Sequence, residues 1–484
     1  MSNCGWDALD EVRLTRYHFE VFVVCTLLVL IDGYDGASLT YAAPAIVGEI
    51  KLPSALLGPL FAAHLIGMVL GSGPSGLIAD RHGRRPTIIG ATVFFGVFTL
   101  LTAASSSFFE IFICRLCTGI GLGAAVSNII AIASETAPRR CRATVVSVVY
   151  SAFPLGALVG GYSAVLLIRA FGWRSIFWVG GSLALALLLA AIGILPESIR
   201  FLRSTHASVE RLGKALKVFG LESVPNEFGG RVEAPMGAGS PMRDLFAHGK
   251  AATTLLLWLT FFVNQLVVYF MFVWMPIVFK TRGLNTELGI IASATLNLGG
   301  VAGSLFLARL IDVRGAHIVL TVSYIAAFFL VSAFGSVAAG GASAVLVVVA
   351  LTGFMLNGSN VSLAAVAASL YPTRARSTGV GWAMGLGRFG GITGSLVGAV
   401  LLRSRLSLDV LYPLVGSSLL LAAASMWVMR ARGTERTSGA ELKVTPLDAS
   451  LAGGDKRVAF FVALRNAHIA SRVRDAGRGS IEKG

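Results

Sequence analysis

Apolar segments of about 20 residues recur along most of this chain, and they constrain its fold more than any other feature. An α-helix of that length can cross a bilayer. The chain is 55% hydrophobic and only 13% charged, a balance that excludes a soluble globular protein of 484 residues. We therefore predict an all-α membrane protein with twelve transmembrane helices. The predicted spans are 19–44, 54–79, 87–107, 109–134, 143–168, 174–195, 252–279, 286–311, 317–338, 343–369, 377–402 and 409–430.

Basic residues in the short loops predict how the chain is oriented. Arg81, Arg140 and Arg374 lie in loops that follow spans two, four and ten, all on one side. Because cytoplasmic loops are enriched in Lys and Arg, both termini should be cytoplasmic. The same loops and tails explain the net charge of +15, so we predict no nucleic-acid partner. The predicted regions are an N-terminal six-helix half at 1–195, a cytoplasmic connector at 196–250, a C-terminal six-helix half at 251–430 and a basic cytoplasmic tail at 431–484.

The two predicted halves carry a repeated pattern of residues. Gly156 recurs 234 positions later as Gly390, and Asp80 recurs 232 positions later as Asp312. Repeats of six helices, with the ligand site between them, are typical of secondary transporters. The pattern predicts two pseudo-symmetric halves.

Two acidic residues lie inside the first apolar run. Asp32 and Asp35 fall within the stretch from Val21 to Ala45, and three residues separate them. That spacing places them on roughly one face of a helix. Because carboxylates are costly at membrane depth, we expect the pair to face a polar cavity, a cation or a proton path. The alternative is that one Asp only pairs with a nearby Arg and holds the helix bundle together.

The sequence contains no pattern that is typical of an enzyme, a metal site or a cofactor site. Cys114 and Cys117 have the CxxC spacing, but no His ligand is near them, so we interpret them as packing residues. We predict neither catalysis, nor a metal, nor a cofactor.

Several motifs resemble known transporters. The loop sequence GLIADRHGRRP, Gly76 to Pro86, looks like the signature of the major facilitator superfamily, and RLCTGIGLGAAVSN, Arg115 to Asn128, resembles the pattern of its fourth helix. Three further motifs together look like the aromatic acid:proton symporter family within it. They are DGYD at 32–35, PESIRFL at 196–202 and YPTRARSTGVGWAMGLGRFGGITG at 371–394.

The resemblance covers about residues 15–430 and implies a major facilitator fold. It also implies proton-coupled uptake of a benzoate- or hydroxybenzoate-like carboxylate by alternating access across a bacterial inner membrane. The expected partners are the small aromatic carboxylate, protons and the lipid bilayer, and we expect a monomer. Two alternatives stay open, an exporter of aromatic or drug-like metabolites with the same fold and a sensor of such compounds that does not transport them.

A proton symporter needs a group in the membrane that binds and releases the proton. Asp32 and Asp35 are the candidates, because apolar surroundings and a like-charged neighbour favour the protonated form of a carboxylate. Arg115, within span four, would favour the charged Asp when it is close and free a proton site when it moves away. The alternative for Arg115 is a permanent structural salt bridge.

The substrate carboxylate needs a cation, and Arg388 within span eleven is the candidate because an Arg can bind a carboxylate through two parallel hydrogen bonds. The alternative is helix packing or pairing with a carboxylate elsewhere. We expect the aromatic ring to contact one of several aromatic side chains, each of which has packing as its alternative role: Tyr34, Phe153, Trp258, Phe261, Tyr269 or Trp382. Hydroxyl groups on the ring would bond neutral polar side chains: Asn264, Gln265, Asn297, Asn357 or Asn360. For His64 in span two we favour helix packing over titration.

The loop after span two is predicted to control conformational change. Charge pairs there would hold the outward-facing state of the transporter, and their rupture would allow inward opening. The loop residues concerned are Asp80, Arg81, Gly83, Arg84 and Arg85. The second copy of the loop keeps Asp312 but has Ala316 and His317 at the positions of the paired arginines, so we expect it to form a weaker gate.

Overall fold

The described part of the chain covers the membrane helices and leaves gaps in the loops and tails. A computed structural model describes residues 14–53, 56–138, 141–198, 201–202, 245–246, 251–337, 341–371, 376–404 and 406–441. Most of the predicted connector and tail, and the side chain of Asp312, therefore lie outside the described residues. The described residues up to Trp427 belong to one compact unit, and every contact discussed below lies within it.

The described residues form twelve helices that are long and apolar enough to cross a membrane, and they contain no strand. The predicted all-α fold with twelve spans is confirmed. Several helices extend past the predicted ends, because polar turns continue the helix outside the hydrocarbon layer. The helices are α1 (Arg16–Glu49), α2 (Leu57–His82), α3 (Arg84–Ala104), α4 (Phe108–Thr136), α5 (Arg142–Phe171), α6 (Arg174–Ile194), α7 (Ala251–Thr281), α8 (Thr286–Arg314), α9 (Ala316–Val337), α10 (Ala342–Leu370), α11 (Arg376–Arg403) and α12 (Leu408–Glu441).

Two glycines end helices at equivalent places in the repeat. Gly83 separates α2 from α3 with φ of 99°, and Gly315 separates α8 from α9 with φ of 82°. Only glycine adopts such positive φ values at low cost, so each one ends a helix and turns the chain directly into the next.

Close helix pairs also follow the repeat. Gly156 in α5 faces the backbone of Leu30 in α1, and Gly390 in α11 faces the backbone of Phe262 in α7. A Cβ atom at either glycine would overlap a carbonyl oxygen of the facing helix. Small residues at these points allow α1 to pack against α5, and α7 against α11, at backbone contact.

The first six and the last six helices make contact at one end of the bundle. Lys280 of α7 donates a hydrogen bond to the carbonyl oxygen of Pro44 in α1. Arg169 of α5 forms an ion pair with Glu287 of α8, with 2.7 Å between nitrogen and oxygen. We call this end the Lys280 end.

Aromatic contacts continue this interface toward the centre of the bundle. The rings of Phe61 in α2 and Trp274 in α7 meet edge to face, 5.5 Å apart. Tyr41 in α1 and Phe272 in α7 meet in the same way at 6.1 Å.

The packing of helices α2 and α11 differs between the two ends of the bundle. At the Lys280 end, a Cβ on Gly58 would lie 2.9 Å from the Cβ of Ala399. Toward the opposite end, which we call the Gly83 end, four glycines of these helices have no heavy atom within 4 Å of a Cβ position. Those glycines are Gly73 and Gly76 in α2 and Gly381 and Gly385 in α11. The two helices therefore touch at the Lys280 end, and both face open space toward the Gly83 end.

Candidate functional site

Asp35 and Arg115 form a buried ion pair between α1 and α4. One guanidinium nitrogen lies 3.2 Å from Oδ2 of Asp35 and the other lies 3.3 Å from Oδ1. Each side chain is only 1% exposed. A two-point contact of this kind fixes both charges and satisfies them together.

Neighbouring hydroxyl groups add hydrogen bonds to this pair, while Nε of Arg115 is buried without a partner among the described residues. Thr99 donates to Oδ1 of Asp35 at 2.8 Å. Arg115 donates to Thr118 at 3.1 Å, and its guanidinium lies 5.1 Å from the ring centre of Phe177. All these groups come from the first six helices. Because the pair is buried and hydrogen-bonded, removing one partner would leave an uncompensated charge at membrane depth.

Asp32 lies one turn earlier in α1, and its surroundings are different. The side chain is 2% exposed, and neither carboxylate oxygen has a hydrogen-bond partner among the described residues. Asp35 and Arg388 are the charged groups that interact with it electrostatically. An ionised carboxylate in such a place needs either a counterion or a proton. Asp35 is thus paired and Asp32 is unpaired among the described residues, although the two look equivalent in sequence.

Arg388 connects α11 to the first six helices. Its NH1 atom donates a hydrogen bond of 2.7 Å to Oγ of Ser72 in α2. The side chain is half-buried and interacts electrostatically with Asp32, Tyr150 and Tyr269. No other hydrogen bond joins its guanidinium to a described residue. The remaining N–H groups are therefore available to a planar anion.

A small cavity lies between α1, α2, α4 and α7. Its volume is about 20 Å³, which is room for one water-sized group. Phe61, Phe272 and Tyr269 contribute rings to its wall, and His64 and Arg115 contribute polar groups. An apolar wall with a few convergent polar groups is typical of a ligand site. At this volume the cavity holds a single substituent and not a whole aromatic acid.

Two of the predicted polar residues lie on α7. Gln265 packs against α11, with its Cγ atom 3.2 Å from a Cβ position on Gly387. Asn264 is fully buried, and neither of its amide atoms has a partner among the described residues.

Two other predicted polar residues, Asn297 and Asn357, donate hydrogen bonds to backbone carbonyl groups of α8. Asn297 donates to the carbonyl oxygen of Ser293 in its own helix at 3.3 Å, and Asn357 of α10 donates to that of Leu296 at 3.5 Å. Asn360 is half-buried, and its role stays a prediction.

The structure does not bring five of the six predicted aromatic residues to the cavity. Tyr34 packs among α5 and α6 and donates to the carbonyl oxygen of Ile176 at 3.3 Å. Trp382 is 48% exposed and stacks on Trp258 with 6.1 Å between ring centres. Tyr269 is the predicted aromatic residue that lines the cavity, while Phe61 and Phe272 were not singled out from the sequence.

The loop at the Gly83 end is held by Glu135 of α4 and by Glu197, which follows α6. Glu197 accepts hydrogen bonds from the backbone N–H groups of Arg84 and Arg85 at 2.9 and 3.3 Å. These are the first residues of α3, so the carboxylate caps the positive end of that helix. The guanidinium of Arg84 forms an ion pair of 2.9 Å with Glu135 of α4. A side chain at Gly83 would collide with Glu197.

Other members of the predicted gate are exposed. Asp80 and Arg81 lie on the surface, and Asp80 forms no ion pair with a described residue. The gating role of this loop stays a prediction. Sequence reasoning missed Glu135 and Glu197 as partners, although the PESIRFL motif contains Glu197. It also missed Ser72 and Tyr150, for which the sequence offers no signal.

The sequence also matches a known protein family. The family model described as Major Facilitator Superfamily matches residues 25–349 and 286–470. The chain belongs to the major facilitator superfamily. It is therefore a membrane transporter and not an enzyme, which confirms both predictions.

Similar proteins carry names of aromatic acid transporters. The chain is 33% identical to a gallate transporter of Pseudomonas putida, over 87% of this chain and 93% of that protein. It is 34% identical to the 4-hydroxybenzoate transporter PcaK of Pseudomonas putida, over 81% of this chain and 88% of that protein. These relatives confirm the resemblance to aromatic acid transporters that the motifs indicated.

The fold is also similar to that of a solved transporter. The structure of the xylose transporter XylE from E. coli, in a partially occluded inward-open conformation, matches with a TM-score of 0.66. The match covers 85% of this chain and 98% of the other, at 18% identity. This similarity concerns the fold alone.

Proposed function

We propose that the chain is a proton symporter that takes up a benzoate- or hydroxybenzoate-like carboxylate across the bacterial inner membrane by alternating access. The names of its relatives support the substrate class. The observation that carries the proposal is Asp32, a buried carboxylate without a hydrogen-bond partner among the described residues that interacts electrostatically with Arg388. Asp32 can hold a proton, and Arg388 can bind the substrate carboxylate.

These two residues supply a physical means of coupling. While Asp32 is ionised, its charge attracts Arg388 and repels a substrate carboxylate. A proton on Asp32 removes both effects, and Arg388 can then exchange its contact with Ser72 for the substrate. Loss of the proton reverses the sequence and favours release.

The membrane potential explains why a proton must accompany the anion. Moving one negative charge inward against a negative-inside potential costs about 2.3 kcal/mol per 100 mV. A carboxylate that crosses with one proton carries no net charge. Asp35 is a less suitable proton site in this conformation, because Arg115 already balances its charge.

The contacts at the two ends support alternating access. With both termini in the cytoplasm, the Lys280 end faces outward and is the closed end. The Arg169–Glu287 pair there is exposed, and exposed ion pairs contribute only about 0–1 kcal/mol. Such a contact can break in each cycle at small cost. The Gly83 end would then be the cytoplasmic opening.

Uptake into proteoliposomes tests the proposal. Purified protein is reconstituted, and accumulation of radiolabelled 4-hydroxybenzoate, benzoate and gallate is measured with an imposed pH gradient, with and without a protonophore. We expect accumulation of at least one acid above equilibrium, and its collapse with the protonophore. Undiminished accumulation with the protonophore would contradict proton coupling, and no transport of any aromatic acid would contradict the substrate class.

A further inference from the structure

His64 of α2 is a buried side chain whose hydrogen bonds are not satisfied. It is 7% exposed, and its Nδ1 atom is buried without a partner. Neither ring nitrogen bonds to a described residue. Buried polar groups are normally paired, because an unmade hydrogen bond there is costly. A packing role, which the sequence favoured, does not explain why this imidazole is left unpaired.

The surroundings of His64 suit a neutral polar group. The side chain lines the 20 Å³ cavity together with Tyr269 and Arg115. Arg115 and Asp35 are the charged groups that interact with it electrostatically, and they already neutralise each other. A hydroxyl group placed here can bond the imidazole without adding a charge to this balanced pair. The cavity also has the volume of one water-sized group, which a hydroxyl matches.

The position of His64 relative to Arg388 suggests the length of the ligand. Arg388 is held at Ser72, and His64 lies eight residues earlier on the same helix. Eight helical residues span about 12 Å. A carboxylate and a hydroxyl at opposite ends of a benzene ring cover roughly that span once a hydrogen bond of about 2.8 Å is added at each end. Tyr269, which lines the cavity, lies within electrostatic range of Arg388.

We propose that His64 binds the ring hydroxyl of the substrate, and that the chain selects para-hydroxylated aromatic carboxylates. The inference rests on the proposed function and assigns Arg388 to the carboxylate end. A neutral imidazole donates one hydrogen bond and accepts another, and a phenolic hydroxyl can complement either. A site built to bond a hydroxyl rejects the analogue that lacks it, because its own polar groups then stay unpaired.

Ligand affinities of purified variants test this assignment. The variants are His64→Leu, which removes the hydrogen bond, His64→Gln, which restores a donor and an acceptor, and Phe61→Leu as a control for ring packing in the same cavity. Each is titrated with benzoate, 3-hydroxybenzoate and 4-hydroxybenzoate. For His64→Leu we expect 4-hydroxybenzoate affinity to fall about tenfold or more, and benzoate affinity to change less than about twofold. His64→Gln should recover part of the loss, and Phe61→Leu should weaken all three acids alike.

The outcomes separate this inference from the proposed function. Equal losses for benzoate and 4-hydroxybenzoate in His64→Leu would assign His64 to packing and overturn the inference. Unchanged affinity for 4-hydroxybenzoate would overturn it as well. In both cases the wild-type chain still binds aromatic acids, so the proposed function stands. A wild-type chain that binds none of the three acids overturns the proposed function and the inference together.

Discussion

Arg388 donates a hydrogen bond of 2.7 Å to Ser72, and these residues are 316 positions apart in the chain. The bond joins α11 to α2, which also touch at the Lys280 end. In this conformation the hydroxyl group of Ser72 is bonded to Arg388, the cation that we assign to the substrate carboxylate. A carboxylate can replace the hydroxyl, because it balances the charge of the guanidinium and can accept two parallel N–H bonds from it.

The first prediction concerns Asp32. Asp32→Asn keeps the size of the side chain but removes its ability to carry a proton. We expect concentrative uptake to be lost, while exchange of labelled for unlabelled substrate across the membrane is retained. Counterflow and gradient-driven uptake in proteoliposomes measure the two activities. Wild-type accumulation by this variant would remove Asp32 from the proton path.

The second prediction compares the stability of two variants. Asp35→Asn leaves Arg115 buried without its counterion, and breaking a buried pair from one side costs about 3–5 kcal/mol. Asp32→Asn breaks no hydrogen bond with a described residue and is the matched control. We expect the melting temperature in detergent to fall for Asp35→Asn and to stay near the wild-type value for Asp32→Asn. Equal melting temperatures would contradict the difference in pairing.

The third prediction concerns Arg388. Arg388→Lys keeps the charge but loses the two-point contact, and Arg388→Ala loses both. A hydrogen bond to a charged group contributes roughly 1.5–3 kcal/mol, so we expect carboxylate affinity to fall about tenfold or more, and further for Ala than for Lys. The amide analogue of the substrate should bind all variants alike, because it has no carboxylate.

A matched control for Arg388 is available at Ser72. Ser72→Ala removes the hydrogen bond to the guanidinium without changing its charge, and carboxylate binding should be retained. If well-folded Arg388→Ala binds the acid with wild-type affinity, this residue is not the anchor.

The fourth prediction concerns the loop at the Gly83 end. Glu197→Gln weakens the cap on α3, and such terminal interactions contribute about 0.3–1 kcal/mol when exposed and up to about 2 kcal/mol when partly buried. We expect a lower melting temperature with unchanged substrate affinity. Asp80→Asn breaks no ion pair with a described residue, so stability should persist while transport slows through the conformational equilibrium. Loss of stability in Asp80→Asn with normal transport rates would reverse these assignments.

The fifth prediction concerns the Lys280 end. A Cβ on Gly58 lies 2.9 Å from the Cβ of Ala399, so Gly58→Cys combined with Ala399→Cys should form a disulfide under oxidation, after a small shift of the helices. We expect oxidation to stop transport and a reductant to restore it. Gly73→Cys with Gly385→Cys is the control pair, since both positions face open space, and it should not cross-link in this conformation. Full transport by the cross-linked 58–399 variant would contradict opening at this end.

The amino-acid sequence by itself determined the helices and the superfamily. Apolar runs long enough for a bilayer predict spans without any tertiary information, because the bilayer requires each segment to satisfy its own backbone hydrogen bonds. The helix ends at Gly83 and Gly315 are equally local, since they depend on the φ angle of one residue. The motif Gly76–Pro86 was sufficient to indicate the superfamily.

Only the tertiary structure decided how the polar residues are used. Asp32 and Asp35 are alike in sequence, but the hydroxyl and guanidinium groups that satisfy Asp35 come from α3 and α4, and none of these reaches Asp32. Ser72 is a partner of Arg388 because α2 packs against α11, and His64 is unpaired at a cavity that α1, α2, α4 and α7 enclose. The pairing of a buried charge depends on distances of about 3 Å between side chains that are distant in sequence. Local patterns of hydropathy and spacing do not contain those distances.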